Sequence, residues 1–311
     1  MDRRLRVGVV GVGYLGRFHA LIYSGLAGVE LVGIADTDRA RAEQVAAEAG
    51  CAAYVDPAAL LGQVDAVSVV VPTTAHLDVA RPYLEAGVHM LLEKPVAPDM
   101  DHGGEIVRLA EASGAILQVG HLERFNGGIM ALASRIDRPR FIEAQRMGGF
   151  KERATDVDVV SDLMIHDIDI ILALVDGALT EVRAVGTPVL TEHVDIANAR
   201  LEFADGAVAN IVASRVSEQT HRRIRVFQPG GYLSLDFVGQ TLDIARPVAR
   251  PGQPRPEIVR ERIAVEPVKP LDAEIAAFVE CVRSGSRPLV DGAVGLRALE
   301  VALEVRRRMG G

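Results

Sequence analysis

Asp162 and His166 stand four residues apart in the run DVVSDLMIHDIDIILALV, residues 158–175. Wound as an α-helix at about 100° per residue, this run places Asp158, Asp162, His166 and Asp169 in one stripe. Most of the remaining circumference is apolar, from Leu163 to Leu174, so the helix is expected to be largely buried. Its polar stripe is then either a thin exposed seam or the wall of a cleft. In a cleft, desolvation and the neighbouring carboxylates tune an imidazole toward general acid or base work. Asp167 falls on the apolar arc and is expected to be buried with a hydrogen-bonded partner, while Asp158 lies a turn outward. A second piece of chemistry is Lys94, which follows the apolar run Val88–Leu92 and precedes Pro95. An ammonium there can stabilise the alkoxide that forms as a hydride leaves. The plainer alternative is a salt bridge to Glu93.

The elements that must position these groups begin with Leu5–Val10, a buried strand that runs into Gly11-Val12-Gly13-Tyr14-Leu15-Gly16 and a helix to about Gly25. In strand–turn–helix context this pattern binds a dinucleotide. Gly11 allows the tight turn, Gly13 the approach of a pyrophosphate, and Gly16 the packing of helix on strand. The helix N-terminus supplies amide donors for the phosphates. The second strand, Val29–Ala35, ends in Asp36, where a carboxylate accepts from the ribose hydroxyls and repels a 2′-phosphate. NAD is therefore expected over NADP, with Arg39 and Arg41 leaving some room for the latter. Apolar strands at Ala66–Val71, Val88–Leu92 and Ile116–Gly120 alternate with helices at 72–85 and 99–112, which predicts an α/β doubly wound parallel sheet. Ligands of such sheets bind at the carboxyl ends of the strands, so Asp36, Thr73, Lys94 and His121 are expected on one rim. His76 suits a helix cap or a cofactor edge, His121 a substrate contact or a loop carbonyl, and His19 a structural place.

From Glu123 the character changes. A short helix is expected at Phe125–Arg135, weakened by Gly127-Gly128, and a strand at Arg140–Gly149. After the helix of 158–175 come strand-like runs at Val182–Leu190, Asp195–Phe203, Ala207–Val216, Ile224–Gln228, Tyr232–Phe237, Thr241–Ala245 and Ile258–Val265. This succession predicts an α+β domain with an open, mostly antiparallel sheet, whose exposed face suits a homodimer or homotetramer. Pro247–Pro256 reads as a flexible excursion, and helices at Leu271–Ser284 and Asp291–Met309 close the chain. Two basic clusters, Lys151-Glu152-Arg153 and Arg215 with Arg222, Arg223 and Arg225, suit either a phosphate clamp or ordinary surface pairing.

A chain of 311 residues exceeds one typical core, so two domains are expected: 1–122, and 123–311 with the closing helices packing back on the first. A hydrophobic content of 49% with 24% charged residues describes a globular protein. No apolar run is long enough to span a bilayer, and the start carries no cleavable leader, which suggests a cytoplasmic place without membrane insertion. Cys51 and Cys281 are too few for a disulfide framework. A net charge of −8 argues against broad nucleic-acid binding.

Taken together, GVGYLG at 11–16, Glu93-Lys94-Pro95, and Asp-x-x-x-His at Asp162 and His166 resemble the Gfo/Idh/MocA family of NAD(P)-dependent oxidoreductases. The resemblance implies an N-terminal Rossmann domain, a second α+β domain used for oligomerisation, and a commonly cis Pro95 that would aim the lysine. It implies Lys94 and His166 as the catalytic pair, with Asp162 assisting. It places the cofactor on Gly11, Gly13, Tyr14, Leu15, Gly16, Asp36, Pro72, Thr73, His76, Glu93 and Lys94. It places substrate on Lys94, His121, Arg124, Asn126, Asp162, His166 and Arg215, with no metal. Within the family, VGHLERFN at 119–126, DLMIHDIDI at 162–170, DIANARLEF at 195–203 and ASRVS at 213–217 look like the branch that oxidises C3 of UDP-N-acetylglucosamine on the way to the 3-amino sugar of lipid A. That branch suggests a proline after Asn126, where this chain has Gly127-Gly128. A dehydrogenase of a free polyol or sugar and a non-catalytic NAD-binding regulator are the alternatives.

Overall fold

The computed structural model describes residues 3–150, 157–251, 255–265 and 268–310. The chain forms two compact units, Met1–Leu122 with Lys269–Leu299, and Glu123–Val268 with Glu300–Gly311. The expected cluster Lys151-Glu152-Arg153 lies outside the described residues.

In the first unit, β1 (Leu5–Val10) is central, because its buried stretch Val7–Val10 needs cover on both faces. It pairs in parallel with β2 (Val29–Ala35) and with β4 (Ala66–Val69). With β3 (Ala52–Tyr54), β5 (His89–Glu93) and β6 (Leu117–Gly120) the order is β3-β2-β1-β4-β5-β6, parallel throughout. The helices α1 (Tyr14–Gly25), α2 (Arg39–Ala49), α3 (His76–Glu85) and α4 (Met100–Ser113) connect the strands. The strand order reverses direction at β1, the switch point where α/β sheets bind ligands. The later helix α7 (Pro270–Ser284) returns to this unit, and its Ile275, Phe278 and Val279 join Val7, Val9, Tyr23, Ile34 and Leu91 in the core. Two local expectations change. β4 stops at Val69, so Val70 and Val71 leave the sheet. The edge strand β3 has only one neighbour, and its three residues carry too little pattern to be read from sequence.

The second unit is built on an eight-stranded sheet of order β14-β13-β12-β11-β7-β10-β9-β8. Its strands are β7 (Phe141–Met147), β8 (Leu179–Thr187), β9 (Ile196–Phe203), β10 (Val208–Ser214), β11 (His221–Gln228), β12 (Gly231–Asp236), β13 (Thr241–Val248) and β14 (Glu257–Ala264). Pairing is antiparallel except between β7 and β10. Alternation sends Ile142, Ala144, Ala209, Ile211, Ala213, Ile224 and Val226 to one buried face. Helix α6 (Ile165–Leu174) packs against β7 and β10 with Ile165, Ile168 and Ile171 fully buried. The short helix α5 (Gly127–Ala133) packs on β12 and β13. A Cβ at Gly128 would come 2.6 Å from the Leu235 side chain, and Gly127 stands where a proline was expected. Within the excursion expected at Pro247–Pro256, Pro247 and Val248 belong to β13 and pair with Ile258 and Glu257, and 252–254 lie outside the described residues. The division between units falls within the last helix, α8 (Gly292–Met309). Among the described residues no helix is long and apolar enough to cross a membrane.

Candidate active site

The glycine turn of the first unit shows three separate demands on its three glycines. Gly11 has φ +83°, and a Cβ there would stand 2.6 Å from the Val70 carbonyl oxygen. A Cβ at Gly16 would fall 1.9 Å from the Gly11 oxygen, so only glycine lets α1 start this close to the turn. A Cβ at Gly13 would meet nothing within 4 Å, which leaves backbone facing open space. The first turn of α1 carries no acidic residue to oppose a phosphate. Tyr14 is exposed and Leu15 half-buried on that turn.

Asp36 closes the turn from β2. Its Oδ2 accepts from Val12 N at 2.8 Å and its Oδ1 from Asp38 N at 2.9 Å, with Arg41 Nη1 3.5 Å from Oδ1. A carboxylate has about four acceptor directions, so two amides leave capacity for ribose hydroxyls. Beside it lies a cavity of about 520 Å³ lined by Gly11, Gly13, Asp36, Arg41 and the apolar Val55, Pro57, Val71 and Val79. Apolar walls with a carboxylate at one side fit the adenosine half of NAD. Pro72 and the turn Thr73–Ala75 border the same rim.

Lys94 follows β5 directly, half-buried, with a cis peptide bond to Pro95. Glu93, expected at the cofactor, is turned inward and 6% exposed. Its Oε2 accepts from Lys94 N at 3.2 Å, and Oε1 lies 3.3 Å from His19 Nε2. His19 Nδ1 is 3.2 Å from Ser68 Oγ, which is 2.8 Å from the Tyr23 hydroxyl. A buried polar chain thus runs from α1 through β4 to the backbone of Lys94. Gly120 makes room for it, since a Cβ there would be 2.8 Å from the Glu93 carboxylate. His76 is likewise no cofactor edge: it has no exposed surface, and its ring nitrogens reach the carbonyls of Val96 and Val71 at 3.2 and 3.1 Å. Burial lowers its pKa, so the neutral ring donates to one carbonyl at a time. His121 follows β6 and is 1% exposed.

In the second unit the expected single α-helix over 158–175 is two kinds of helix. Val160–Met164 is a π-helical turn, and the α-helix begins at Ile165. Single π turns within α-helices are frequent at functional sites. Asp162 lies in the π turn and His166 in the first turn of α6, both half-buried. Asp158 leaves the stripe: its carboxylate accepts from Val160 N, Ser161 N and Ser161 Oγ, and pairs with Arg306 Nε at 3.0 Å. Asp167 is 2% exposed and paired at 2.9 Å through both oxygens with Arg146, which also meets Glu123 at 2.8 Å. Burial works against the Arg146 charge, but the two carboxylates hold its pKa above the usual guanidinium value. Asp169 is buried at 1%, with Arg124 Nη1 at 3.3 Å.

Two expected substrate contacts are engaged in holding the fold. Asn126 caps α5, its Oδ1 accepting from Gly128 N at 2.9 Å while Nδ2 donates to Glu123 at 3.3 Å. Arg215 is 6% exposed, lies 3.0 Å from Asp195 and donates to the carbonyls of Val157 and Val194. Asp195 in turn accepts from the amides of Val189, Leu190 and Thr191. Sequence reading missed Arg146, Glu123 and Asp195. Arg146 carried a signal, because it continues the inward series Ile142, Ala144 and a charge on that face requires a partner.

A model of the oxidoreductase family with an NAD-binding Rossmann fold matches residues 5–121, and one of the GFO/IDH/MocA C-terminal domain matches residues 125–234. The chain is 39% identical to a UDP-N-acetylglucosamine 3-dehydrogenase of Acidithiobacillus ferrooxidans over 97% of its length and 96% of the relative's. A solved structure of that enzyme superposes with a TM-score of 0.92 over 98% of this chain and 97% of that one. A scyllo-inositol 2-dehydrogenase (NAD(+)) of Bacillus subtilis is 28% identical over 97% and 93% of the two chains. With the glycine turn and its cavity in the first unit and the matched C-terminal domain in the second, the chain belongs to the Gfo/Idh/MocA family and is an NAD-binding oxidoreductase acting on CH–OH groups.

Proposed function

We propose that this enzyme oxidises the C3 hydroxyl of UDP-N-acetylglucosamine to a ketone. The observation that carries the reading is the 39% identity to a UDP-N-acetylglucosamine 3-dehydrogenase across 97% of the chain, against 28% to an inositol dehydrogenase. Bound NAD, held by Gly11, Gly13, Tyr14, Leu15, Gly16, Asp36, Pro72 and Thr73, supplies the hydride acceptor. His166 takes the hydroxyl proton as general base. Asp162 orients its imidazole. The Lys94 ammonium stabilises the oxyanion as the C–H bond is lost, and the carbinol becomes a carbonyl. His121 and Arg124 border the sugar. Asp36 favours NAD over NADP through its charge beside the ribose. The ketone is then a substrate for amination toward the 3-amino sugar of lipid A.

The same proposal includes a homo-oligomer formed through the second unit's sheet. Phe141, Phe227 and Tyr232 stand in register across β7, β11 and β12 on the face opposite the helices, with ring centroids 5.7 and 4.8 Å apart. A half-buried aromatic row of this kind suits a subunit contact.

The test is a panel of UDP-sugars, free sugars and inositols with NAD, followed by absorbance of the reduced cofactor with a ketone trap present. Reduction with UDP-N-acetylglucosamine and none with inositol is expected. Turnover of a free polyol alone contradicts the reading and favours the polyol dehydrogenase.

A further inference from the structure

Lys94 is the first residue past β5. The last rung of that strand joins Glu93 to Gly120 of β6, so the Lys94 amide falls beyond the ladder. A backbone amide that leaves a sheet needs another acceptor, and here the Glu93 carboxylate takes it. To do so Glu93 folds inward, where a carboxylate needs donors of its own. Its Oε2 has the Lys94 amide at 3.2 Å, and its Oε1 has the His19 imidazole at 3.3 Å.

The acceptor at one end orders the hydrogens along the whole chain. A carboxylate only accepts, so His19 presents N–H at Nε2 and a bare Nδ1 toward Ser68. The Ser68 hydroxyl, 3.2 Å from Nδ1, then donates to the ring and accepts from the Tyr23 hydroxyl, 2.8 Å further on. His19, Ser68 and Tyr23 have no exposed surface, so they offer nothing to cofactor or substrate directly. A buried network of this kind holds one arrangement, because each unmade bond leaves a polar group bare. Gly120 makes room for it: a Cβ there would lie 2.8 Å from Glu93 Oε1 and 2.9 Å from Oε2. The far end of the Lys94 turn is held separately, by His76 at the Val96 carbonyl, 3.2 Å away.

We propose that Glu93 and His19 are positioning residues for Lys94. The bonds from Tyr23 through Ser68 and His19 fix the Glu93 carboxylate, and Glu93 fixes the backbone from which the Lys94 ammonium is aimed. The inference rests on the proposed part of Lys94 in hydride transfer, and not on which sugar is oxidised. A displacement of about 1 Å at a reacting group costs on the order of 10²-fold in rate. Loss of this support therefore lowers kcat and leaves KM nearly unchanged.

The test is steady-state kinetics of the full-length enzyme with NAD and the sugar of the panel that it turns over fastest. His19→Leu keeps the bulk and removes both ring nitrogens; kcat is expected to fall at least tenfold, with KM for sugar and NAD within twofold. His19→Gln, whose amide nitrogen takes the place of Nε2, is expected to recover several-fold of that loss. Gly120→Ala leaves every member of the chain intact and presses on the Glu93 carboxylate, so it is expected to lower kcat several-fold even if His19→Leu does not fold. Asp65→Asn weakens the same unit from the opposite end of β4 and is expected to keep the wild-type kcat. Added to Lys94→Ala, His19→Leu is expected to change turnover by less than twofold, because its effect passes through the lysine. Wild-type kcat in both His19→Leu and Gly120→Ala, an equal fall in Asp65→Asn, or a further tenfold loss in the double variant overturns the inference while Lys94 keeps its role. Wild-type kcat in Lys94→Ala overturns the role of Lys94 and the inference with it.

Discussion

Gly13 and Gly16 lie three residues apart, and a methyl group on each meets opposite surroundings. At Gly13 it points into open space, the proposed place of the cofactor phosphates, and at Gly16 it collides with the Gly11 carbonyl. Gly13→Ala is therefore expected to melt within a few degrees of wild type but to lose at least tenfold in NAD affinity, read by fluorescence titration of the reduced cofactor. Gly16→Ala is expected to lower the melting temperature as well. Lys94→Ala and His166→Ala are expected to lower turnover by about 10²–10⁴-fold, with NAD affinity close to wild type. Full activity in either variant contradicts the proposed roles. The types of these residues were legible because lysine after an apolar strand and Asp-x-x-x-His on a helix are unusual in a buried setting. The occupation of Arg215 was not, because a buried ion pair depends on a partner far away in the chain, here Asp195.

Secondary elements set the next scale. The triad Arg146, Asp167 and Glu123 ties β7 to α6 and to the turn Leu122–Phe125, all of it buried. Removing one partner of a buried pair costs about 3–5 kcal/mol, so Asp167→Ala is expected to destabilise the second unit by that order. Replacing Arg146, Asp167 and Glu123 together by apolar residues is expected to recover much of the loss, as measured by denaturant unfolding. At the start of β4, Asp65 accepts from Arg6 and Arg3, and the Arg6 hydrogen bond holds its pKa down at about 2. A lowered carboxyl stabilises the fold fully above its unfolded value near 4 and loses that effect as pH falls toward 2. Wild type is expected to exceed Asp65→Asn by on the order of 2 kcal/mol at pH 7, with the difference vanishing by about pH 2.

Element boundaries tell where pattern suffices. β1 and β2 were readable to the residue because apolar runs leave little choice. The π turn at Val160–Met164 was not, since periodicity over one turn cannot separate π from α winding. That error carried Asp158 into the catalytic stripe, whereas its carboxylate caps the turn.

At the scale of the whole molecule, the second unit's sheet has two faces of different character, one covered by helices and one carrying an aromatic row. The aromatic face makes a separate prediction. Phe227→Glu is expected to reduce the proposed oligomer to a smaller species in light scattering, because the charge falls in the middle of the aromatic row. An unchanged mass contradicts assembly through that face. The chemistry is tested most directly by locating the ketone. UDP-N-acetylglucosamine turned over with NAD and then reduced with borodeuteride is predicted to carry deuterium at C3 by NMR, and to carry none when His166→Ala replaces the wild type. Deuterium at another ring carbon, or equal labelling by His166→Ala, would contradict the proposed reaction.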